Sequence, residues 1–198
     1  FSWLGTKNFI PRRYWRKKNI WWADERLFPY SSPLSNYGNF LTSFLRKQLF
    51  RENNLHPVPT DLTSPAEAAI VYEKLILDAI KIEDGLPVFD LILLGIGSDG
   101  HTASLFPEKT IRSKSKIVLP VPKATQEPKV PRVSLSLNLI NNSRSILFLS
   151  LYQGKEEIID SMIGHLLGNE PAPNFPAGAV EARDRKSTRL NSSHRIRS

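Results

Sequence analysis

The chain contains no cysteine. That removes disulfides, thiol nucleophiles and cysteine-bound zinc. Histidine is scarce, with four in the chain, so a histidine-rich metal site is not expected. No apolar run approaches the roughly 20 residues that a membrane-spanning helix needs, and no membrane partner is expected. An initiator methionine is missing too, because the chain opens on Phe1. A native N-terminus, with any targeting peptide, is therefore expected to lie upstream. What is present suits a globular protein: 198 residues, 40% hydrophobic, with four tryptophans. That length allows one domain with a real core.

The formal charge of +8 raises the question of nucleic acid. Much of it sits at the C-terminus. Arg185, Lys186, Arg189, Arg195 and Arg197 against Asp184 give that segment +4, which leaves +4 for the rest. The stretch "DRKSTRLNSSH" has no apolar periodicity and resembles the translation of a common sequencing-adapter oligonucleotide. Residues 184–198 are therefore expected to form a disordered tail, foreign to the fold. The remaining charge suits an anionic small molecule as well as a polymer. Residues 1–18, with "RRYWRKK", are basic and aromatic, as a nucleic-acid contact would be. They also read as a solvated connection into the first strand, and no nucleic-acid partner is expected.

Along the chain, "NIWWAD" reads as a short buried strand and "ERLFPYSSP" as a turn. A helix is expected from Ser35 to Lys47. Ser64, Pro65 and Glu67 form the start signal of a second helix, with Ala69, Tyr72, Ile76, Ala79 and Ile80 at helical spacing. Gly85-Leu86-Pro87 is expected to end it. "VFDLILLG" is a near-continuous apolar run, typical of a strand covered on both faces. "KIVLPV", "RVSLSLNL" and "SILFLSL" read as further strands. "GKEEIIDSMIGHLLG" reads as a closing helix ending at Gly168. Alternating helices and buried strands predict an α/β domain over residues 1–183.

The most informative stretch is "FDLILLGIGSDGHTASLFP", residues 89–107. It satisfies G-x-G-x-x-G after a predicted strand. A dinucleotide loop also requires a long helix from the third glycine and an acidic residue about 20 positions on. Pro107 leaves room for two turns at most, and "SKSKIVLPV" (113–121) has no acid. No nicotinamide or flavin is expected. His101, placed beyond the carboxyl end of a strand where α/β sheets bind ligands, instead reads as a general base. Asp99 either orients its ring or serves only as a turn-former bonding its own backbone.

The segment "LLGIGSDGHTASLFP" resembles the hallmark of the 6-phosphogluconolactonases, and "WWADERLFPYSSPLSNYGNF" resembles their upstream "DER…P…SNY" segment. "PKVPRVSLSL" and "INNSRSILFLSLYQGKEE" extend the likeness over most of residues 19–180. Relatives that deaminate glucosamine 6-phosphate share a "GIGxDGHIAFNEP"-like loop, but Ser104-Leu105-Phe106-Pro107 matches the lactonase form.

The resemblance implies a Rossmann-like, mostly parallel sheet flanked by helices. It also implies hydrolysis of 6-phosphoglucono-δ-lactone in the oxidative pentose phosphate pathway, without metal or cofactor, in the cytoplasm or a plastid. His101 and Asp99 would be catalytic. Arg26 would contact substrate, unless it pairs with Asp24 or Glu25 to hold its loop. Lys129 and Arg132 match the family's Lys-Pro and Arg positions, and the amides around Gly97 and Gly100 are expected to face the developing oxyanion. The chain departs from the family in having no glycine-rich "SGGS/T" loop before Trp21 and no native C-terminal strand and helix. The domain is thus expected to be incomplete. An amino-sugar-phosphate isomerase/deaminase and a non-catalytic sugar-phosphate-binding module of the same fold are the alternatives, although no helix-turn-helix of a regulator is readable.

Overall fold

The structure, a computed structural model, describes residues 12–44, 50–62, 64–107, 116–183 and 188–192. After a single helical turn, α1 (Arg12–Trp15), come β1 (Ile20–Trp21), β2 (Asp24–Arg26) and α2 (Asn36–Phe44). A short strand β3 (Leu55–His56) precedes α3 (Pro65–Ala79) and the hairpin of β4 (Ile82–Glu83) and β5 (Leu86–Pro87). The second half holds β6 (Leu91–Leu94), β7 (Val118–Val121), β8 (Arg132–Leu135), α4 (Leu137–Asn141), β9 (Ser145–Ser150), α5 (Glu156–Leu166) and β10 (Thr188–Ser192). The fold is α/β, as expected. Its strands divide between a parallel sheet of order β10-β9-β6, an antiparallel sheet of order β2-β8-β7, the parallel pair β1-β3 and the hairpin. No helix among the described residues is long and apolar enough to cross a membrane.

Helix α3 forms where its start signals predict. The Ser64 hydroxyl accepts the Glu67 N–H at 3.1 Å, and Pro65 occupies the first turn, where its missing N–H costs nothing. Ala68, Ala69, Tyr72 and Ile76 form the buried stripe. Full burial of a side chain such as Ile76 is worth about 1.5–3 kcal/mol. The stripe lies on β7 and β8, and the Glu73 carboxylate accepts the N–H groups of Ile117 and Val118 at 3.1 and 3.0 Å. Helix and strand are thereby fixed in register. The Tyr72 hydroxyl is buried between β1 and β2, accepting from the Trp22 N–H at 2.8 Å and donating to the Trp22 carbonyl at 3.1 Å. This pairs both backbone groups at the point where "NIWWAD", expected as one strand, breaks into two.

Other boundaries differ from the sequence reading. Helix α3 stops at Ala79. Asp84 and Gly85, both at positive φ (53° and 82°), then turn a two-residue hairpin where a helix end was expected. "RVSLSLNL" is strand only to Leu135, because Ser136 accepts the Leu139 N–H at 3.2 Å and caps α4. β6 is not covered on both faces. Ile92 and Leu94 are buried while Leu91 and Leu93 are 53% and 37% exposed. The expected helix over Ser35–Lys47 is present as α2, its last three predicted residues lying outside those described.

Within 184–198, expected to be a disordered tail, Thr188–Ser192 form β10. Those residues lie parallel to β9, from Thr188 opposite Ile146 to Ser192 opposite Ser150. The free edge of β9 offers backbone donors and acceptors, which any extended segment can meet whatever its side chains. The remainder of the tail lies outside the described residues, as do residues 1–11, whereas the basic stretch at 12–18 lies within them.

Candidate active site

The loop between β6 and Pro107 is closed by its own hydrogen bonds. The Gly97 N–H donates to the His101 carbonyl at 2.8 Å and the Gly100 N–H to the Gly97 carbonyl at 3.1 Å. The Thr102 hydroxyl donates to the Gly95 carbonyl at 2.9 Å. No helix follows the third glycine, which instead sits at φ +79°. This local course explains why the G-x-G-x-x-G spelling is not a dinucleotide fingerprint here. It also bears on the expectation that the loop amides from Gly97 to Gly100 face the substrate. Those of Gly97 and Gly100 are spent inside the loop and do not face outward as oxyanion donors. Both glycines act through space instead. A Cβ on Gly97 would stand 2.1 Å from His101 Nδ1, and one on Gly100 would stand 2.4 Å from Cγ of Phe175.

That clearance lets the imidazole lie against the loop. His101 Nδ1 is 2.6 Å from Asp99 Oδ1, which also accepts the His101 N–H at 3.0 Å. Asp99 Oδ2 accepts from Gln126 Nε2 at 2.9 Å. Burial pushes the Asp99 carboxyl up, but the hydrogen bonds from the His101 amide and ring and the nearby imidazole outweigh it, and the group sits below the usual carboxylate value. A carboxylate can only accept, so Nδ1 carries the hydrogen, and in the neutral ring Nε2 then bears the lone pair. The two side chains are 24% and 26% exposed, enough for water to reach them.

The cations come from the antiparallel sheet. Arg26 on β2 lies directly opposite Arg132 on β8. The Arg26 Nη1 donates to the Leu34 carbonyl at 3.0 Å. Among the described residues it forms no ion pair, so the loop-holding alternative with Asp24 or Glu25 is not what the structure contains. Glu25 holds that loop by other means. Its buried carboxylate accepts the N–H groups of Arg26, Asn36 and Tyr37 at 2.7–2.8 Å and the Ser35 hydroxyl at 3.2 Å, capping α2. Burial pushes its carboxyl up against those amides. Arg132 is buried, its Nη2 donating to the carbonyls of Gln126 and Pro128 at 3.2 and 2.9 Å. Its guanidinium lies 5.5 Å from the centre of the Phe106 ring, which in turn lies 5.0 Å from the His101 ring. Burial lowers the Arg132 pKa, with Asp24 acting in the opposite direction. The Nε atoms of Arg26 and Arg132 are buried without a hydrogen-bond partner. Lys129 is more than half exposed and pairs with Glu127 at 3.7 Å.

Three contacts escaped the sequence reading. Gln126 binds Asp99. Ser104 donates to Asp24 Oδ2 at 2.7 Å, tying the loop to β2. Lys155, at the head of α5, donates from Nζ to the Ile96 carbonyl at 2.5 Å, which places a third cation at the base of the loop. Its position in "GKEE", at the start of the predicted closing helix, is the available signal.

The structure is an α/β protein with a histidine–carboxylate pair on a strand-end loop and two arginines opposite each other on the neighbouring antiparallel sheet. The chain belongs to the family of glucosamine-6-phosphate isomerases/6-phosphogluconolactonase, whose model matches residues 1–189. It is 33% identical over 169 residues to a 6-phosphogluconolactonase of Synechocystis sp., covering 84% of this chain and 68% of that protein. A human 6-phosphogluconolactonase is 34% identical over 162 residues, covering 80% of this chain and 59% of its own length. The crystal structure of 6-phosphogluconolactonase from Thermotoga maritima superposes with a TM-score of 0.75 at 30% identity, over 97% of this chain and 78% of that one. The chain thus spans only part of each relative.

Proposed function

We propose that this chain is the dyad-bearing part of a 6-phosphogluconolactonase, hydrolysing 6-phosphoglucono-δ-lactone to 6-phosphogluconate. The observation that carries this reading is the 2.6 Å contact between His101 Nδ1 and Asp99, which leaves Nε2 as the base. Nε2 takes a proton from water as the water oxygen bonds to the lactone carbonyl carbon. The tetrahedral intermediate then collapses, the ring C–O bond breaks, and the imidazolium returns the proton to the departing ring oxygen. A lactone is already electrophilic, so one base suffices. The depressed Asp99 carboxyl stays ionised at neutral pH and stabilises the imidazolium between the two steps. Arg26, with a buried and unpartnered Nε, supplies charge for the phosphate. The Gly97 and Gly100 side of the loop shapes the base.

Removing the base tests this reading. His101→Ala should lower turnover of the phosphorylated lactone by about 10²–10⁴ over the spontaneous background, the usual worth of a general base. The thermal unfolding midpoint should be nearly unchanged. Turnover equal to the parent's would reject His101 as the base.

A further inference from the structure

The dyad is held by a residue far from it in sequence. Asp99 Oδ1 is engaged twice by His101, through the amide and through the ring. Both of those contacts fall on one oxygen. Gln126 Nε2, at 2.9 Å from Oδ2, holds the other, so both carboxylate oxygens are engaged. Gln126 is exposed, so its placement depends on its backbone, and that backbone is gripped from within: buried Arg132 donates to the carbonyls of Gln126 and Pro128. Arg132 lies over Phe106, and Phe106 against the His101 ring. The contacts therefore close a circuit from Arg132 through Gln126, Asp99, His101 and Phe106 back to Arg132.

We infer that Gln126 is a positioning residue for His101, acting through Asp99 and held in place by Arg132. The inference rests on the lactone-hydrolysis reading for its consequence in rate, but not for its geometry. An amide suits the position for an electrostatic reason. It donates to Oδ2 without bringing a charge, so the carboxylate's full charge remains available to the imidazole. Among the described residues, charged groups tied to the same elements include Arg132 against Phe106, Lys155 at the Ile96 carbonyl, and Glu127 and Lys129, which pair with each other on the Gln126 segment.

Two substitutions on the full chain test this. Gln126→Ala removes the donor, and Gln126→Glu replaces it with a carboxyl that repels Asp99 when ionised. Nitrogen-15 shifts of the His101 ring report the tautomer without any turnover. The parent should show hydrogen on Nδ1, and Gln126→Ala a mixture of tautomers. Rate measurements should then show kcat down by about tenfold in Gln126→Ala with KM within about twofold, as for a misplaced but intact base. In Gln126→Glu the acid limb of the rate profile should move up by about half a pH unit, because a second negative charge favours the imidazolium. An unchanged tautomer in Gln126→Ala together with an unmoved acid limb in Gln126→Glu would overturn the inference. Tautomer mixing in Gln126→Ala, in a parent that does not hydrolyse the lactone, would uphold the positioning role and reject the proposed function.

Discussion

Arg26 and Arg132 face each other across two antiparallel strands, an arrangement that electrostatics disfavours, since like charges directly opposite destabilise a sheet. Their buried, unpartnered Nε atoms add a desolvation cost. An anion drawn to the pair would offset both terms, which supports the proposed contact between Arg26 and the phosphate. Charge-assisted hydrogen bonds contribute about 1.5–3 kcal/mol. Arg26→Ala should therefore raise KM for the phosphorylated lactone by about 10–100-fold while leaving plain gluconolactone nearly unaffected. Equal losses on both substrates would make Arg26 a structural residue. At this scale the sequence was partly legible. His101 and Asp99 stand two residues apart, so their contact follows from one loop. Gln126 lies 27 residues from Asp99, and Lys155 lies 59 from the carbonyl it binds. No local pattern announces such pairs.

The loop as an element depends on a neighbour that enters late in the chain. Gly100 adopts φ +79°, its missing side chain accommodates the Phe175 ring, and its carbonyl accepts the Ala177 N–H at 3.0 Å. An alanine there meets both an unfavourable backbone region and the aromatic ring. Gly100→Ala should cost about 1–3 kcal/mol by denaturant unfolding, with lactonase activity falling as the dyad is displaced. A substitution without effect on either would mean that Phe175 moves aside freely. Among elements, α3 was legible because cap, proline and apolar spacing agree. The β8–α4 boundary was not, because "SLSL" alternates like a strand and only the Ser136 cap redirects it. β6 misled for a related reason. Four consecutive apolar residues promise two covered faces, yet the side of Leu91 and Leu93 meets solvent.

For the whole molecule, the edge of the parallel sheet is where the chain's sequence and its pairing differ most plainly. β9 sits between β6 and β10, and β10 comes from the adapter-like tail. That tail has no apolar periodicity, which predicts no packing against the core. Backbone pairing needs neither, so composition could not reveal the strand. The energetics are close to balance. Each ladder hydrogen bond contributes about 0.5–1.5 kcal/mol net, while ordering each residue costs about 1–2 kcal/mol. Five residues thus gain little overall, and the melting temperature is a poor judge of whether the strand exists. Amide exchange is a better one, because it reads individual hydrogen bonds. Deleting residues 184–198 should accelerate exchange at the β9 amides that face β10 while leaving those that face β6 protected. Leu190→Pro should do the same at its own level of the ladder, since proline has no N–H to donate. If β9 exchange is unchanged by the deletion, Thr188–Ser192 does not pair in solution, and the reading of the tail as foreign to the fold regains its force.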